Sequence, residues 1–464
     1  MSAPLSLARE IAYDAFVKVM FDKMRPEDVL AEMYKTHEKS LKRLDRNFIK
    51  EILFGSLRWY SKIFWILQQT ATRPLKESPP AVQAALVLGT YQIFYMDRVP
   101  DRAAVNESVE YVRKKGHAHA VPFINGILRQ IARRAEYFAK PDKTARPTEY
   151  LALQFSHPKW IVDRWFENFK FERLEKMLAA NNQPPPTSIR INAMKSELKE
   201  AHLFQASLLR EESTHSDRRP LRCCLWVKEA PDLSPESMFS RGMYTIQDES
   251  SQLIGGLVDP QAGSWVVDAC SGKGGKLGHI YELARGKCRL TAIEPQPAQV
   301  QLAKDAMTRL GHEGIEWVTS DFREWRPDQK PDKILIDAPC SGLGVLKRHP
   351  EGKWQKSADM IGKMAVLQRE LILKALELLA VGGELIYAVC SFEPEETLAH
   401  VKWLRREMGE KVEIVSPVAR LPDYYKKYVT RENVMLVYAG NQDDMDGFGS
   451  FIIKKIKDSG KAQA

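Results

Sequence analysis

The sequence predicts a multidomain protein with an all-helical N-terminal domain, a small α+β adapter and a C-terminal α/β domain. Apolar residues recur at helical spacing through about the first 140 residues. Three prolines at 184–186 lead into a strand-like run at 188–192, and beyond residue 240 strand-like runs alternate with helical segments. The 464 residues, 44% of them hydrophobic, suffice for about three domains, which we place at residues 1–140, 141–240 and 241–464.

The N-terminal domain is predicted to be helical throughout, and proline-containing dipeptides separate its helices. Its most apolar stretch, residues 81–96, is interrupted by Gln83, Thr90 and Gln92 and is shorter than a membrane span. We therefore expect a buried helix and no membrane association. The N-terminus has early acidic residues and no long apolar run, which argues against a signal peptide.

Positive charge is concentrated in the same domain. Residues 1–140 contain 23 Lys and Arg against 15 Asp and Glu, a surplus of eight in a chain whose net charge is +9. Such a basic face either binds a polyanion or is simply solvated. In the adapter, His157 and Trp160 either contact RNA or pack at a domain joint, and packing is the reading we favour.

The C-terminal domain is predicted to contain eight strands and at least two long helices. The helices span residues 297–310 and 360–379. The strands are predicted at residues 264–268, 289–294, 315–319, 333–337, 384–388, 412–415, 434–438 and 451–455.

Two of these strands are each followed closely by a cysteine. Cys340 follows residues 333–336, and Cys390 follows residues 384–387, with a Leu-rich helical segment between the two runs. We interpret the runs as neighbouring parallel strands, about 4.8 Å apart, so that both thiols face one cleft. The alternatives are two small buried side chains or a disulfide. Six cysteines in this length fit a reducing, cytoplasmic location better than a disulfide.

The first predicted strand runs into a glycine-rich turn at residues 268–276. A phosphate loop requires Ser or Thr after Gly-Lys, and a dinucleotide loop requires a third Gly, but Leu277 stands in both places. The next two strands end near the acids Glu294 and Asp321. An acid at such a strand end can bind ribose hydroxyls, and Asp321 can accept from an adenine amino group. These features together predict an adenosyl pocket.

Several motifs resemble the Sun/Fmu family of cytosine-C5 RNA methyltransferases. The resemblance covers nearly the whole chain, and the N-terminal helices resemble the RNA-binding NusB domain. The motifs that carry it lie at residues 247–251, 337–344, 348–350, 353–354, 390–396 and 446–448.

The resemblance implies a Rossmann-like class I methyltransferase domain that uses S-adenosylmethionine. It assigns Cys390 as the nucleophile, Cys340 as the group that helps to release the product, and Asp337 as a contact to the pyrimidine. It places the cofactor on Cys270, Ser271, Gly272, Lys273, Gly274, Gly275, Lys276, Glu294, Asp321 and Asp337.

The expected partner is RNA, with 16S ribosomal RNA favoured over transfer RNA, and we expect a monomer with no metal. One departure leaves an alternative open. The family's loop reads Ala-Ala-Pro where this chain has Ser271-Gly272-Lys273. The alternative is therefore a non-enzymatic RNA-binding or ribosome-assembly factor whose cofactor loop has decayed. Both cysteines and all the acids are present, which favours an active enzyme.

Overall fold

The computed structural model describes residues 5–134, 141–195, 224–227 and 237–458. The chain divides into two compact units. The first comprises Met1–Gln183 with Leu346–Lys356, and the second comprises Pro184–Val345 with Ser357–Ala464.

The first unit is all-helical in its described residues, as the sequence predicts for the N-terminal domain. Proline stands at the start of several of its helices, where its missing N–H costs no hydrogen bond. The helices are α1 (Leu7–Phe21), α2 (Pro26–Thr36), α3 (Arg43–Arg58), α4 (Tyr60–Thr70), α5 (Pro80–Tyr95), α6 (Asp101–Lys114), α7 (Val121–Arg134), α8 (Pro147–Gln154), α9 (Lys159–Phe166) and α10 (Phe171–Ala180).

The core of this unit is built around α5, which is buried continuously from Val82 to Gln92. Helices α1, α3, α4, α6 and α7 pack against it. A helix that is apolar on all sides must be enclosed in this way, and the prediction of a buried helix at residues 81–96 is confirmed. None of the described helices combines the length and the apolar character needed to cross a bilayer.

A short segment from later in the chain, Leu346–Lys356, completes the helical unit. Lys353 is 1% exposed, and its Nζ donates to the carbonyls of Arg58 and Ser156 and to Oδ1 of Asn182, at 2.7–3.2 Å. Burial, reinforced by the charge of Arg58, lowers the pKa of Lys353 well below its usual range. His157 is also buried, with Nδ1 2.7 Å from the Phe155 carbonyl. It is therefore a packed residue, which is the interpretation that we favoured over contact with RNA.

The second unit contains two sheets. The smaller is antiparallel, with the order β2-β1-β3. The larger has eight strands, in the order β10-β11-β8-β7-β4-β5-β6, with β9 paired to β11. The strands are β1 (Thr187–Ile191), β2 (Cys224–Val227), β3 (Tyr244–Ile246), β4 (Trp265–Asp268), β5 (Arg289–Ile293), β6 (Ile315–Val318), β7 (Lys333–Asp337), β8 (Glu384–Val389), β9 (Val412–Val415), β10 (Met435–Val437) and β11 (Phe448–Lys455).

All eight predicted strands of the α/β domain are confirmed, within three residues at their ends. The five strands from β8 to β6 are parallel, whereas β11 runs antiparallel to β8, β9 and β10. The helices of this unit are α11 (Glu249–Val258), α12 (Gly275–Leu283), α13 (Pro297–Leu310), α14 (Ala358–Leu378) and α15 (Leu398–Met408).

Strands β7 and β8 are neighbours in the centre of this sheet. Asp337 is in register with Ala388, and the Ala338 N–H donates to the Ala388 carbonyl at 2.8 Å. Both strands are almost completely buried, as expected for parallel strands covered on two faces. Their carboxyl ends therefore open onto the same edge, as the sequence interpretation requires.

The loops after these strands touch each other through Gly344. Its N–H donates to the Cys390 carbonyl at 3.1 Å, and its own carbonyl accepts from the Gly447 N–H at 2.8 Å. A Cβ at residue 344 would lie 2.1 Å from the Gly447 carbonyl oxygen and 2.9 Å from that of Cys390. Only glycine permits this close backbone approach.

Replacing Gly344 with alanine should force these loops apart and destabilise the second unit by about 1–3 kcal/mol. Urea unfolding followed by circular dichroism measures the loss. The matched control is Gly362→Ala in α14, where a Cβ meets nothing within 4 Å, and it should stabilise the helix by about 0.5–1 kcal/mol. Equal stability of the two variants would contradict the close approach.

Candidate active site at the carboxyl edge of the sheet

The two predicted thiols lie in contact beyond the ends of β7 and β8. The Sγ atoms of Cys340 and Cys390 are 3.1 Å apart, and both side chains are half-buried. The two residues are not joined in a disulfide. Parallel pairing of the preceding strands explains the proximity, because each cysteine follows its strand by no more than three residues.

A lysine–aspartate pair stands beside the thiols. Nζ of Lys276 donates to Oδ2 of Asp337 at 2.5 Å. Burial disfavours the charge on Lys276, but Asp337, followed by Cys390 and Asp268, raises its pKa above the usual range. Lys276 is therefore a cation close enough to Cys390 to stabilise a thiolate there.

The glycine-rich turn connects β4 to α12. Gly272 and Gly274 adopt positive φ angles of 51° and 78°, and the Gly274 N–H donates to the Ser271 carbonyl at 2.9 Å. A Cβ on Gly272 would meet nothing within 4 Å, so open space faces the turn at this point. Lys273, the next residue, is exposed.

The predicted acids surround this turn. Oε2 of Glu294 accepts from the Gly272 N–H at 3.1 Å. Asp321 forms an ion pair with Arg323 at 2.7 Å, and the hydrogen bond from Arg323 lowers the pKa of Asp321. Burial raises the pKa of the Cys270 thiol well above its usual range, and the negative charges of Asp268, Asp337, Glu294 and Asp321 add to that effect. Glu294 and Asp337 therefore contact the turn directly, at Gly272 and Lys276, whereas the Asp321 carboxylate binds Arg323.

Asp268 is a site residue that the sequence analysis missed. Its side chain is 1% exposed, and among the described residues Oδ1 has no hydrogen-bond partner. Burial, reinforced by Asp337 and opposed by Lys276, raises its pKa to about 7. The signal was present, since Asp268 is the last residue of β4 and stands directly before the turn.

The donors and acceptors of this edge fit a polar, cationic cofactor. The Ser271 hydroxyl, like Oδ1 of Asp268, is buried without a partner among the described atoms. Carboxylates near open space suit ribose hydroxyls and an ammonium group. Residues 270–276, with Glu294, Asp321 and Asp337, could hold such a molecule.

A buried arginine holds the C-terminal end of the glycine-rich turn at Gly275. Arg190, on β1, donates from Nε and Nη2 to the two carboxylate oxygens of Glu282, both at 3.0 Å. Its Nη1 donates to the Gly275 carbonyl at 2.8 Å and to Oε1 of Gln247. Gln247 belongs to a motif that carried the family resemblance, whereas nothing in the sequence marked Arg190.

Comparison with protein families identifies three regions. A model described as 16S rRNA methyltransferase RsmB/F matches residues 256–454. The NusB family model matches residues 6–133, and a model of the ferredoxin-like domain of RsmF/B-like methyltransferases matches residues 157–219. The NusB and methyltransferase folds inferred from the sequence are thereby confirmed, and the adapter is ferredoxin-like.

Among solved structures, that of PH0851 is similar over 98% of this chain and 100% of its own, with 22% identity and a TM-score of 0.80. The structure of NSun6 from Pyrococcus horikoshii with SFG is similar over 64% of this chain and 97% of its own, with 20% identity and a TM-score of 0.54. At these identities the two structures support the fold.

Curated relatives show similarity over most of the chain. The probable ribosomal RNA small subunit methyltransferase B of Bacillus subtilis is 31% identical over 445 residues, covering 95% of this chain and 97% of the relative. The ribosomal RNA small subunit methyltransferase B of Pseudomonas putida is 31% identical, covering 89% of this chain and 91% of the relative. The chain therefore belongs to the RsmB/F family of 16S rRNA methyltransferases.

Proposed function

We propose that this protein uses S-adenosylmethionine to form 5-methylcytosine in 16S ribosomal RNA, through a transient bond between Cys390 and the base. The observation that carries the proposal is the 3.1 Å contact between two thiols beside Lys276 and the glycine-rich turn. Family membership supports the RNA substrate. The paired thiols support the choice of carbon 5, because that position needs covalent activation.

The first step uses the Cys390 thiolate. Cytosine C5 is a weak nucleophile, but addition of the thiolate at C6 moves electron density onto C5, which can then attack a methyl group. Asp337 lies at the same strand edge, and we assign it to the N3 or amino edge of the base. Lys276, paired with Asp337, supplies positive charge near the sulfur.

The second step uses Cys340. After methylation, C5 must lose its proton and the C6–S bond must break, which requires a base near both atoms. Cys340 is in contact with Cys390 and can accept that proton while the Cys390 sulfur leaves as a thiolate. Cys390 therefore forms the bond to the base, and Cys340 allows that bond to break.

The cofactor is assigned to the pocket of acids and glycines. S-adenosylmethionine supplies an electrophilic methyl group on a sulfonium centre. Residues 270–276 and Glu294, Asp321 and Asp337 would hold it, and Asp268 adds a buried acceptor suited to its ammonium group. The open space at Gly272 and the exposed position of Lys273 support a working loop over a decayed one.

The substrate cytosine must leave its stack, because attack at C6 requires access to the face of the base. We assign phosphate binding to the basic helical domain, which would contribute salt-dependent affinity without reading the target base. A ribosomal RNA substrate and a reduced thiol pair both fit a cytoplasmic location.

Replacing Cys390 with alanine should lower the rate of methylation by roughly 10³-fold or more, because the nucleophile is lost. Methyl transfer to 16S ribosomal RNA is measured with a radiolabelled methyl group, and RNA binding by filter retention should be unchanged. Cys288→Ala, which removes a half-buried thiol before β5, is the matched control. Wild-type rates in the Cys390 variant would exclude it as the nucleophile.

Replacing Cys340 with alanine should trap the protein on RNA, because the adduct forms but is not resolved. The covalent complex is measured as a band of reduced mobility on a denaturing gel with labelled RNA. The double variant Cys340→Ala, Cys390→Ala should show no such band. A Cys340 variant that turns over normally without adduct would contradict the assigned role.

Cofactor affinity should rise as the pH increases toward the Asp268 pKa of about 7 and level off above it. A cationic ligand prefers the ionised carboxylate, so binding at lower pH must first displace a proton. Calorimetry with S-adenosylmethionine at several pH values measures this dependence, which Asp268→Asn should flatten. An identical pH profile in both proteins would show that Asp268 does not face the ligand.

A further inference from the structure

We propose that Glu396 is a positioning residue that sets the separation of the two thiols by binding the loops that carry them. This inference rests on the proposed function, because it assigns Glu396 a part in the same reaction without contact to the base. Glu396 is fully buried and is the last residue of the motif at residues 390–396, before α15.

Glu396 binds the residue that follows Cys340. Its Oε1 accepts from the Ser341 backbone N–H at 2.7 Å, and its Oε2 accepts from the Ser341 hydroxyl at 2.5 Å. Ser341 is 1% exposed. One carboxylate therefore holds both the main chain and the side chain next to the first thiol.

The same carboxylate reaches the residue after Cys390 through a directed chain of hydrogen bonds. The Ser341 and Ser391 hydroxyl oxygens are 3.2 Å apart. Because Ser341 gives its only hydroxyl hydrogen to Glu396, Ser391 must donate to Ser341. The Glu393 N–H in turn donates to the Ser391 oxygen at 3.2 Å. A carboxylate, which only accepts, sets the direction of the whole chain.

Helix α14 braces the arrangement from the other side. Nε2 of Gln368 donates to Oε1 of Glu396 at 3.1 Å and to the Pro339 carbonyl, just before Cys340, at 2.9 Å. The Gln368 Oε1 lies 2.9 Å from Nε2 of His400. Burial, with a smaller effect of Arg369, lowers the pKa of His400 to about 4, so a neutral ring donates from Nε2 at neutral pH.

These hydrogen bonds hold the residues on both sides of Cys340, Pro339 and Ser341. They also hold Ser391, the residue after Cys390. The two-thiol reaction needs both sulfurs within reach of adjacent carbons of one ring. A misplacement of about 1 Å can cost about 100-fold in rate. Glu396 thereby acts on the reaction through the serines.

The test variant is Glu396→Gln, which keeps the shape but replaces one accepting oxygen with an NH2 group. That group either opposes the Ser341 N–H and Gln368 donors or donates to the Ser341 hydroxyl and reverses the hydrogen bond between the two serines. We expect kcat for cytosine methylation to fall about 100-fold while the KM for S-adenosylmethionine changes less than about twofold. Ser341→Ala, which removes the hydroxyl that links the two loops, is the second variant and should show the same split if the Glu396 variant does not fold.

The separation of the thiols is measured directly with phenylarsine oxide. Its arsenic forms bonds to two neighbouring thiols and releases one water as both thiol hydrogens combine with the oxide oxygen. Peptide mapping by mass spectrometry should find the arsenic bridge between Cys340 and Cys390 in the wild type. Glu396→Gln should bind it about 10-fold or more weakly at this pair.

Ser450→Ala is the matched control. Ser450 is fully buried in β11 and donates to the Tyr387 carbonyl of β8 at 2.7 Å. Its replacement removes one buried hydrogen bond beside the strand that precedes Cys390, without removing a contact of Ser341, Ser391 or the Glu396 carboxylate. It should keep both kcat and the arsenic bridge. An equal loss in this control, or a wild-type bridge and rate in Glu396→Gln, would overturn the assignment.

The two proposals fail separately. If the wild type does not methylate cytosine, the proposed function is wrong, but the bridging experiment needs neither RNA nor cofactor and still tests Glu396. If the wild type methylates and Glu396→Gln leaves the bridge intact, only the positioning role is wrong.

Discussion

The parallel pairing of β7 with β8 is the constraint on which the rest of the site depends. Register between Asp337 and Ala388 brings two loops to one edge of the sheet, and each loop delivers a thiol within three residues. Gly344 then allows the loops to meet backbone to backbone. Chemistry that needs two thiols beside one ring can be built on neighbouring parallel strands, because such strands end side by side.

The electrostatics of this edge are poised for a cationic ligand. The charges of Asp268, Glu294, Asp321 and Asp337 all act on Cys270 in the turn. Lys276 pairs with Asp337, and Arg323 pairs with Asp321. Burial, reinforced by Asp337, raises the pKa of Asp268 to about 7 because the surrounding groups stabilise its ionised form poorly. Buried groups without partners lower stability, and proteins retain them mainly where a ligand completes them. The buried, unpartnered oxygen of Asp268 is therefore consistent with the cofactor site that we propose.

Much of this architecture was predictable from local pattern. The eight strands of the α/β domain, the buried helix α5 and the two cysteine loops follow from apolar runs and turn residues. The acids at strand ends followed from the rule that parallel sheets bind ligands at their carboxyl edge. Asp268 follows the same rule, since it is the last residue of β4, but the glycines after it are the stronger signal in the sequence. No motif marked Arg190, and the motif at residues 390–396 contains Glu396 without revealing its role. The main-chain groups that they bind, at Gly275 and Ser341, lie more than 50 positions away along the chain.

The sequence by itself determined the order of strands and helices along the chain and the presence of a cysteine after each of two strands. It also determined the family to which the chain belongs. These properties depend on spacing along the chain, which a reader of the sequence sees directly. Only the tertiary structure decided that the thiols touch, that Lys276 pairs with Asp337 and that the segment around Lys353 completes the helical unit. Such contacts depend on side-chain direction and burial, which long-range packing sets and local sequence does not encode.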